Sequence, residues 1–140
     1  MIEGVAQLDV TIHIQATPAD VFPYFVDPAL YVRWQGSTAE LDPRPGGHFR
    51  VIVEAGQVAA GKYVAVDPPH RVVFTWGWEG NPLIPPGSST VEITLEPEGA
   101  LTVVRLRHTG LPDRAAVDMH SEGWNLFLGR LASVAGAKRG

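Results

Sequence analysis

From residue 38 onward the chain reads as six strand-like runs in succession, with a single long helical segment behind them. The runs are TAELD (38–42), GGHFRVIVE (46–54), QVAAGKYVAVD (57–67), RVVFTWGWE (71–79), STVEITLEPE (89–98) and ALTVVRLRH (100–108). They alternate apolar with polar residues, or carry the β-branched and aromatic side chains that suit a pleated surface. Between them stand Pro45-Gly46-Gly47, Ala55-Gly56, Asp67-Pro68-Pro69, a loop from Gly80 to Gly87, and Glu98-Gly99. Connections this short imply antiparallel neighbours, because a parallel crossover needs about a dozen residues or more.

A seventh strand precedes them. Residues 5–15, VAQLDVTIHIQ, place Leu8, Val10, Ile12 and Ile14 on one face. Thr17, Pro18 and Asp20 then form a helix start, with a cap, a first-turn proline and a carboxylate suited to the helix dipole. That helix is expected over 18–26 and presents Val21, Phe22 and Phe25. Asp27-Pro28 ends it, and a second short helix runs to about Trp34. After Leu111-Pro112-Asp113 the final helix reaches about residue 136, with Trp124, Phe127, Leu128, Leu131 and Val134 on one face. A one-faced antiparallel sheet needs a cover, and only this helix is long enough. The expectation is an α+β fold in one domain, 1–140. A seven-stranded curved antiparallel sheet wraps around a long C-terminal helix, with two short helices between strands 1 and 2. Gly123, beside Trp124, is expected to let the helix approach the sheet closely.

Composition narrows the function. A net charge of −4 offers no basic footprint for nucleic acid or an anionic membrane. With no cysteine, disulfides and thiolate chemistry are excluded. No run is long and apolar enough for a membrane span, and the first residues do not read as a secretion signal, so a cytoplasmic protein is expected. No glycine-rich phosphate cradle and no G-x-S-x-G elbow occurs. The five histidines, at 13, 48, 70, 108 and 120, lack metal-ligand spacing, so neither metal nor cofactor is expected.

Strand parity points Phe49, Val51 and Val53, then Val72, Phe74, Trp76 and Trp78, then Val91, Ile93 and Leu95 toward the helix. Arg50, Glu92, Thr94 and Glu96 point away. Such a wall is either a solid core or the lining of a cavity. Polar groups that reach it are few. His108 shares the parity of Val104 and Leu106, and His120 lies one turn before Trp124. The two are weak candidates for acid–base catalysis, against the alternative of rings bonded to backbone at the helix–sheet seam. No spacing selects a base among Asp42, Glu54 and Glu79. Ser88 and Ser89 precede a strand with no companion base visible. The loop GNPLIPPGSS (80–89) carries Leu83 and Ile84 between stiff prolines, as a lid, a cavity rim, a dimer contact or a fold-back over the strand ends.

Several segments together resemble a known family. They are Trp34, DPRPGGHFR (42–50), GKYVAVDPPHRVVFTW (61–76), LRHTGLPD (106–113) and HSEGW (120–124). The chain resembles the helix-grip fold of the START-like superfamily, and within it the domain family named after the activator of heat-shock protein 90 ATPase. The resemblance implies a cavity between sheet and C-terminal helix. Its expected lining is Trp34, Phe49, Val51, Tyr63, Phe74, Trp76, Trp78, Ile93, His108, His120, Trp124, Phe127 and Leu128. Members are carriers, enzymes or co-chaperones, so fold does not fix function. The leading expectation is binding of a small hydrophobic or amphipathic ligand, such as a lipid. The alternatives are a cyclase-, hydrolase- or isomerase-type enzyme using a pocket histidine or carboxylate, and a co-chaperone-like interaction domain, with a homodimer as a candidate assembly. The eukaryotic co-chaperones of the family carry a further N-terminal domain that these residues do not contain, which counts against direct chaperone activation.

Overall fold

A computed structural model describes residues 6–54 and 56–137; Val5 of the expected first strand and Ala55 of an expected turn lie outside them. Seven strands form one antiparallel sheet: β1 (Ala6–Ile14), β2 (Thr38–Leu41), β3 (His48–Glu54), β4 (Gln57–Asp67), β5 (Arg71–Trp76), β6 (Ser89–Glu98) and β7 (Leu101–Leu111). Their order is β1-β7-β6-β5-β4-β3-β2. From β2 to β7 each strand pairs with its successor, as the short turns require. Only β1 crosses over, pairing Leu8 with His108 and Ile14 with Thr102.

Alternation holds along the strands. Phe49, Val51 and Val53 are buried on β3, while His48 and Glu54 are exposed. On β6 the inward set is Ser89, Val91, Ile93 and Leu95. The outer face is laced with ion pairs, Arg71 to Glu92 at 2.8 Å and Arg107 to Asp9 at 2.9 Å. Solvent screens these pairs, so they keep the face wet more than they stabilise it.

Between β1 and β2 the chain makes α1 (Pro18–Val21), a 3-10 turn (Phe22–Phe25) and α2 (Pro28–Tyr31). Thr17 Oγ1 accepts from the Asp20 N–H at 3.3 Å, and Asp27 Oδ1 from the Ala29 N–H at 2.9 Å. The helix expected over 18–26 tightens at Phe22, because Pro23 has no N–H to give to the turn before it. Phe22, Tyr24, Phe25, Tyr31 and Trp34 are all buried. The Trp34 ring lies 5.6 Å from Phe25 and 6.5 Å from Trp124, so this segment packs the short helices against the long one.

The long helix is α3 (Arg114–Ala137), capped by Asp113, whose Oδ1 accepts from the Ala116 N–H at 2.9 Å. Its C-terminal half lies along β1, with Gly136 close to Gln15. Trp124, Phe127, Leu128, Leu131 and Ala135 form its buried stripe, while Leu126 is 52% exposed. Among the described residues no helix is long and apolar enough to cross a membrane.

The stripe predicts a contrast between neighbours on one helix. Leu128→Ala removes a fully buried side chain and should cost about 2–5 kcal/mol in urea unfolding. Leu126→Ala should stay within about 0.5 kcal/mol of the parent. Equal losses would show that the face assignment is wrong.

Candidate functional site

Between the N-terminal half of α3 and the β3–β5 end of the sheet lies a hollow of about 450 Å³. Its other walls are the β3–β4 hairpin, through Val53, Glu54 and Gln57, and the end of β5 with the residues after it, through Trp76 and Trp78. The floor is aromatic: Trp76 lies 5.3 Å from Trp78 and 5.0 Å from Trp124, ring centre to ring centre. Phe127 completes it, and Gln35, from the turn after α2, also lines the hollow. Glu54, Met119, Glu122 and Leu126 are exposed at its rim.

Of the thirteen residues expected from the sequence, Trp76, Trp78, His120, Trp124 and Phe127 line this hollow. Trp34, Phe49, Val51, Tyr63, Phe74, Ile93, His108 and Leu128 do not, and each is buried in the core. Phe49 stacks on Phe74 at 4.2 Å, and the Tyr63 hydroxyl donates to the Phe25 carbonyl at 2.9 Å. Burial raises the pKa of both Tyr31 and Tyr63, so neither phenol is an acid near neutrality.

The two histidines meet, with ring centres 5.1 Å apart. Their hydrogen bonds determine their tautomers, because an indole N–H can only donate. Trp124 donates to His108 Nδ1 at 3.0 Å, so the ring proton of His108 sits on Nε2. That N–H donates to Ser89 Oγ at 2.8 Å, and the Ser89 hydroxyl donates to the Trp76 carbonyl at 2.8 Å. Ser89 therefore has a histidine beside it that cannot take its proton. Trp78 donates to His120 Nε2 at 3.0 Å, and His120 Nδ1 donates to the Ala116 carbonyl at 2.8 Å. Burial, helped by the neighbouring His120, pushes the His108 pKa down to about 3; burial also lowers that of His120.

Ser89 was readable from the sequence, since it shares the inward parity of Val91 and Ile93. Gln35 carries no periodic signal. Its Oε1 accepts from the Tyr31 hydroxyl, and it is 2% exposed. Asp42 pairs with Arg44 and Glu79 with Arg50, both at 2.9 Å, which leaves Glu54 as the one of the three carboxylates at the hollow.

Two expectations change. A Cβ built on Gly123 meets nothing within 4 Å, so this glycine does not serve close helix–sheet approach. It borders the hollow, and the absent side chain leaves space there. The 80–89 loop divides its apolar pair: Ile84 is buried, while Leu83 is 72% exposed. Asn81 Oδ1 holds both, accepting from the Leu83 and Ile84 N–H groups at 2.9 and 3.0 Å. Leu83, Trp78 and Met119 line a second, adjoining hollow.

The model of the family described as activator of Hsp90 ATPase homolog 1-like protein (AHSA1) matches residues 15–136. The chain belongs to that family. An AHSA1-like protein from Rhizobium etli, solved in solution, is 42% identical, with 94% of this chain and 82% of that one covered and a TM-score of 0.76. An HSP90 activator from Plasmodium falciparum shares the fold at 22% identity, TM-score 0.78, covering 94% and 96% of the two chains. An Aha1 dimer from Colwellia psychrerythraea does so at 16% identity, TM-score 0.81, covering 96% and 98%. Among curated proteins, no sequence matches the chain.

In this AHSA1-family domain the neutral histidines predict a pH dependence. His108 binds its proton far less readily folded than unfolded, so its contribution is intact above about pH 6.5 and is lost as pH falls. The loss should approach 1.4 kcal/mol per pH unit and continue to about pH 3. Urea unfolding of the wild type and of His108→Gln, measured between pH 7 and 4, isolates this contribution. The variant starts less stable and has the shallower slope; parallel slopes would mean that His108 titrates normally in the fold.

Proposed function

We propose that this domain binds a small, mainly apolar molecule in the hollow between α3 and the β3–β5 end of the sheet, and carries, senses or sequesters it. The observation that carries this reading is an open hollow of about 450 Å³ whose lining includes Trp76, Trp78, Trp124 and Phe127. Binding sites for small molecules are typically concave spaces of ~300–1,000 Å³, mainly apolar with a few polar groups. Proton transfer needs a group with an unused site next to the reacting atom. Both nitrogens of His108 and of His120 are engaged, and the carboxylates of the hollow, Glu54 and Glu122, stand exposed on its rim. The acid–base alternative therefore has weaker support than binding.

Gly123 provides the test. N-phenyl-1-naphthylamine, a neutral fluorophore that brightens in apolar surroundings, should brighten with the wild type. Native mass spectra of freshly purified protein should carry an additional small mass. Gly123→Ala should keep binding and raise stability by about 0.5–1 kcal/mol, since a helix-interior glycine costs that much relative to alanine. Gly123→Leu should fold and lose at least tenfold in affinity. A dark wild type with no additional mass would sink the reading.

Contact between two copies of the chain is a second reading, favoured by the exposure of Leu83, Met119 and Leu126 around the two adjoining hollows. Leu83→Ser with Met119→Ser should then shift the sedimentation coefficient from dimer to monomer. A wild type that sediments as a monomer at 100 µM (about the highest working concentration) would remove this reading.

A further inference from the structure

Carboxylates on the sheet are paired with one exception. On the described strands Asp9, Glu40, Asp67, Glu92, Glu96 and Glu98 each have an arginine or histidine within 4.0 Å. Glu54, at the end of β3, has no cationic partner among the described residues, and it stands at the rim of the hollow. On α3 the pattern repeats. Asp118 pairs with Arg114 at 3.5 Å, whereas Glu122, one turn further on, has no such partner among the described residues and stands at the same rim. No lysine or arginine lines the hollow, and both nitrogens of the neutral His120 are engaged, so Glu54 and Glu122 carry all the charge of its described lining. Arg130 lies over the Phe127 ring at 5.3 Å, outside that lining. Trp78 is the most open of the four aromatic walls: it is half-buried, where Trp76, Trp124 and Phe127 are buried.

From these observations we propose that the hollow takes a small organic cation, an apolar body bearing an amine or quaternary ammonium, with the body against the aromatic walls and the charge at the rim beside Trp78, Glu54 and Glu122. The proposal rests on the hollow being a binding site and adds the class of its ligand. A cleft lined by charge of one sign over low-dielectric walls focuses the field and raises the local concentration of the opposite ion. A cation over an indole face gains further from the ring's quadrupole, most where water is excluded. An anion of the same shape meets two carboxylates with nothing in the lining to offset them, so a fatty acid is rejected by repulsion and not merely bound less well.

Three naphthalenes of nearly equal shape test this against the full-length, 15N-labelled protein: trimethyl(2-naphthylmethyl)ammonium, its neutral carbon isostere 2-neopentylnaphthalene, and 2-naphthylmethanesulfonate. By calorimetry the cation should bind at least tenfold more tightly than the anion. It should also bind at least as tightly as the neutral isostere, although its charge costs it more to leave water. It should move the Trp78 indole proton signal while that of Trp34, buried in the core, stays in place. Glu54→Gln with Glu122→Gln changes two exposed side chains and should fold; it should reduce the cation's preference over the anion at least threefold. In the wild type that preference should also shrink as salt rises from about 20 to about 500 mM, because exposed carboxylates are screened. Tighter binding of the neutral isostere than of the cation would overturn the proposal and leave the cavity reading standing. So would equal binding of the anion, a preference that the double variant leaves intact, or cation binding that does not move the Trp78 signal. If none of the three binds, the proposal falls together with the cavity reading.

Discussion

The hydrogen bond from the Trp124 indole to His108 Nδ1 ties the one long helix to the sheet, and much of the site depends on it. An indole can only donate, so this bond sets the direction of every later one: His108 to Ser89, then Ser89 to the Trp76 carbonyl. In four residues the relay joins α3, β7, β6 and β5. Protonating His108 would put a hydrogen on the nitrogen that Trp124 already points at, and the helix would lose its attachment. The same logic holds on the rim side, where Trp78 donates to His120 and His120 returns its own proton to the Ala116 carbonyl of α3. Both imidazoles are neutral cross-struts, which accounts for their depressed proton affinity and for their poor fit to a catalytic role.

A helix of 24 residues is about 36 Å long, and this one uses its length unevenly. The C-terminal half is committed to β1, with Leu128, Leu131 and Ala135 buried. The N-terminal half then stands over the far end of the sheet, where Gly123 presents no side chain to the gap. Alanine or leucine there would favour the helix more than glycine does. A position with room for a methyl group, and a helical preference for one, is better explained by the space it leaves than by packing.

Much of the fold was legible before any coordinates. Short turns dictated antiparallel neighbours, period-two alternation assigned the faces of β3, β5 and β6, and the 3.6-residue stripe marked α3. Parity also brought His108 inward. What parity does not carry is depth along a strand. Phe74 and Trp76 share a face of β5, yet only Trp76, at the strand's end, lines the hollow. Phe49, Val51 and Ile93 point the same way and meet side chains instead of space. Gln35 lies in a turn where no period operates, and its place depends on Tyr31, four residues earlier on the turn of α2. Leu83 and Ile84 are adjacent and chemically alike; Asn81, bonding both backbone N–H groups, holds the turn in which they part.

An apolar gap in a core tends to close by side-chain rotation, since unfilled volume forfeits contacts on every side. Here the walls are not free to rotate. Trp78 is held by His120, and Trp124 by His108. The exposed guanidinium of Arg130 lies over the Phe127 ring at 5.3 Å. Turning either tryptophan inward would break a hydrogen bond, and for the buried Trp124 it would strand a donor at a cost of about 1–3 kcal/mol, comparable to what contact across the gap would return. The bonds that quench the histidines are thus the ones that hold the aromatic planes apart. Engaging both nitrogens of each histidine and holding the aromatic planes apart are one arrangement, and it is the one on which the proposed binding role rests.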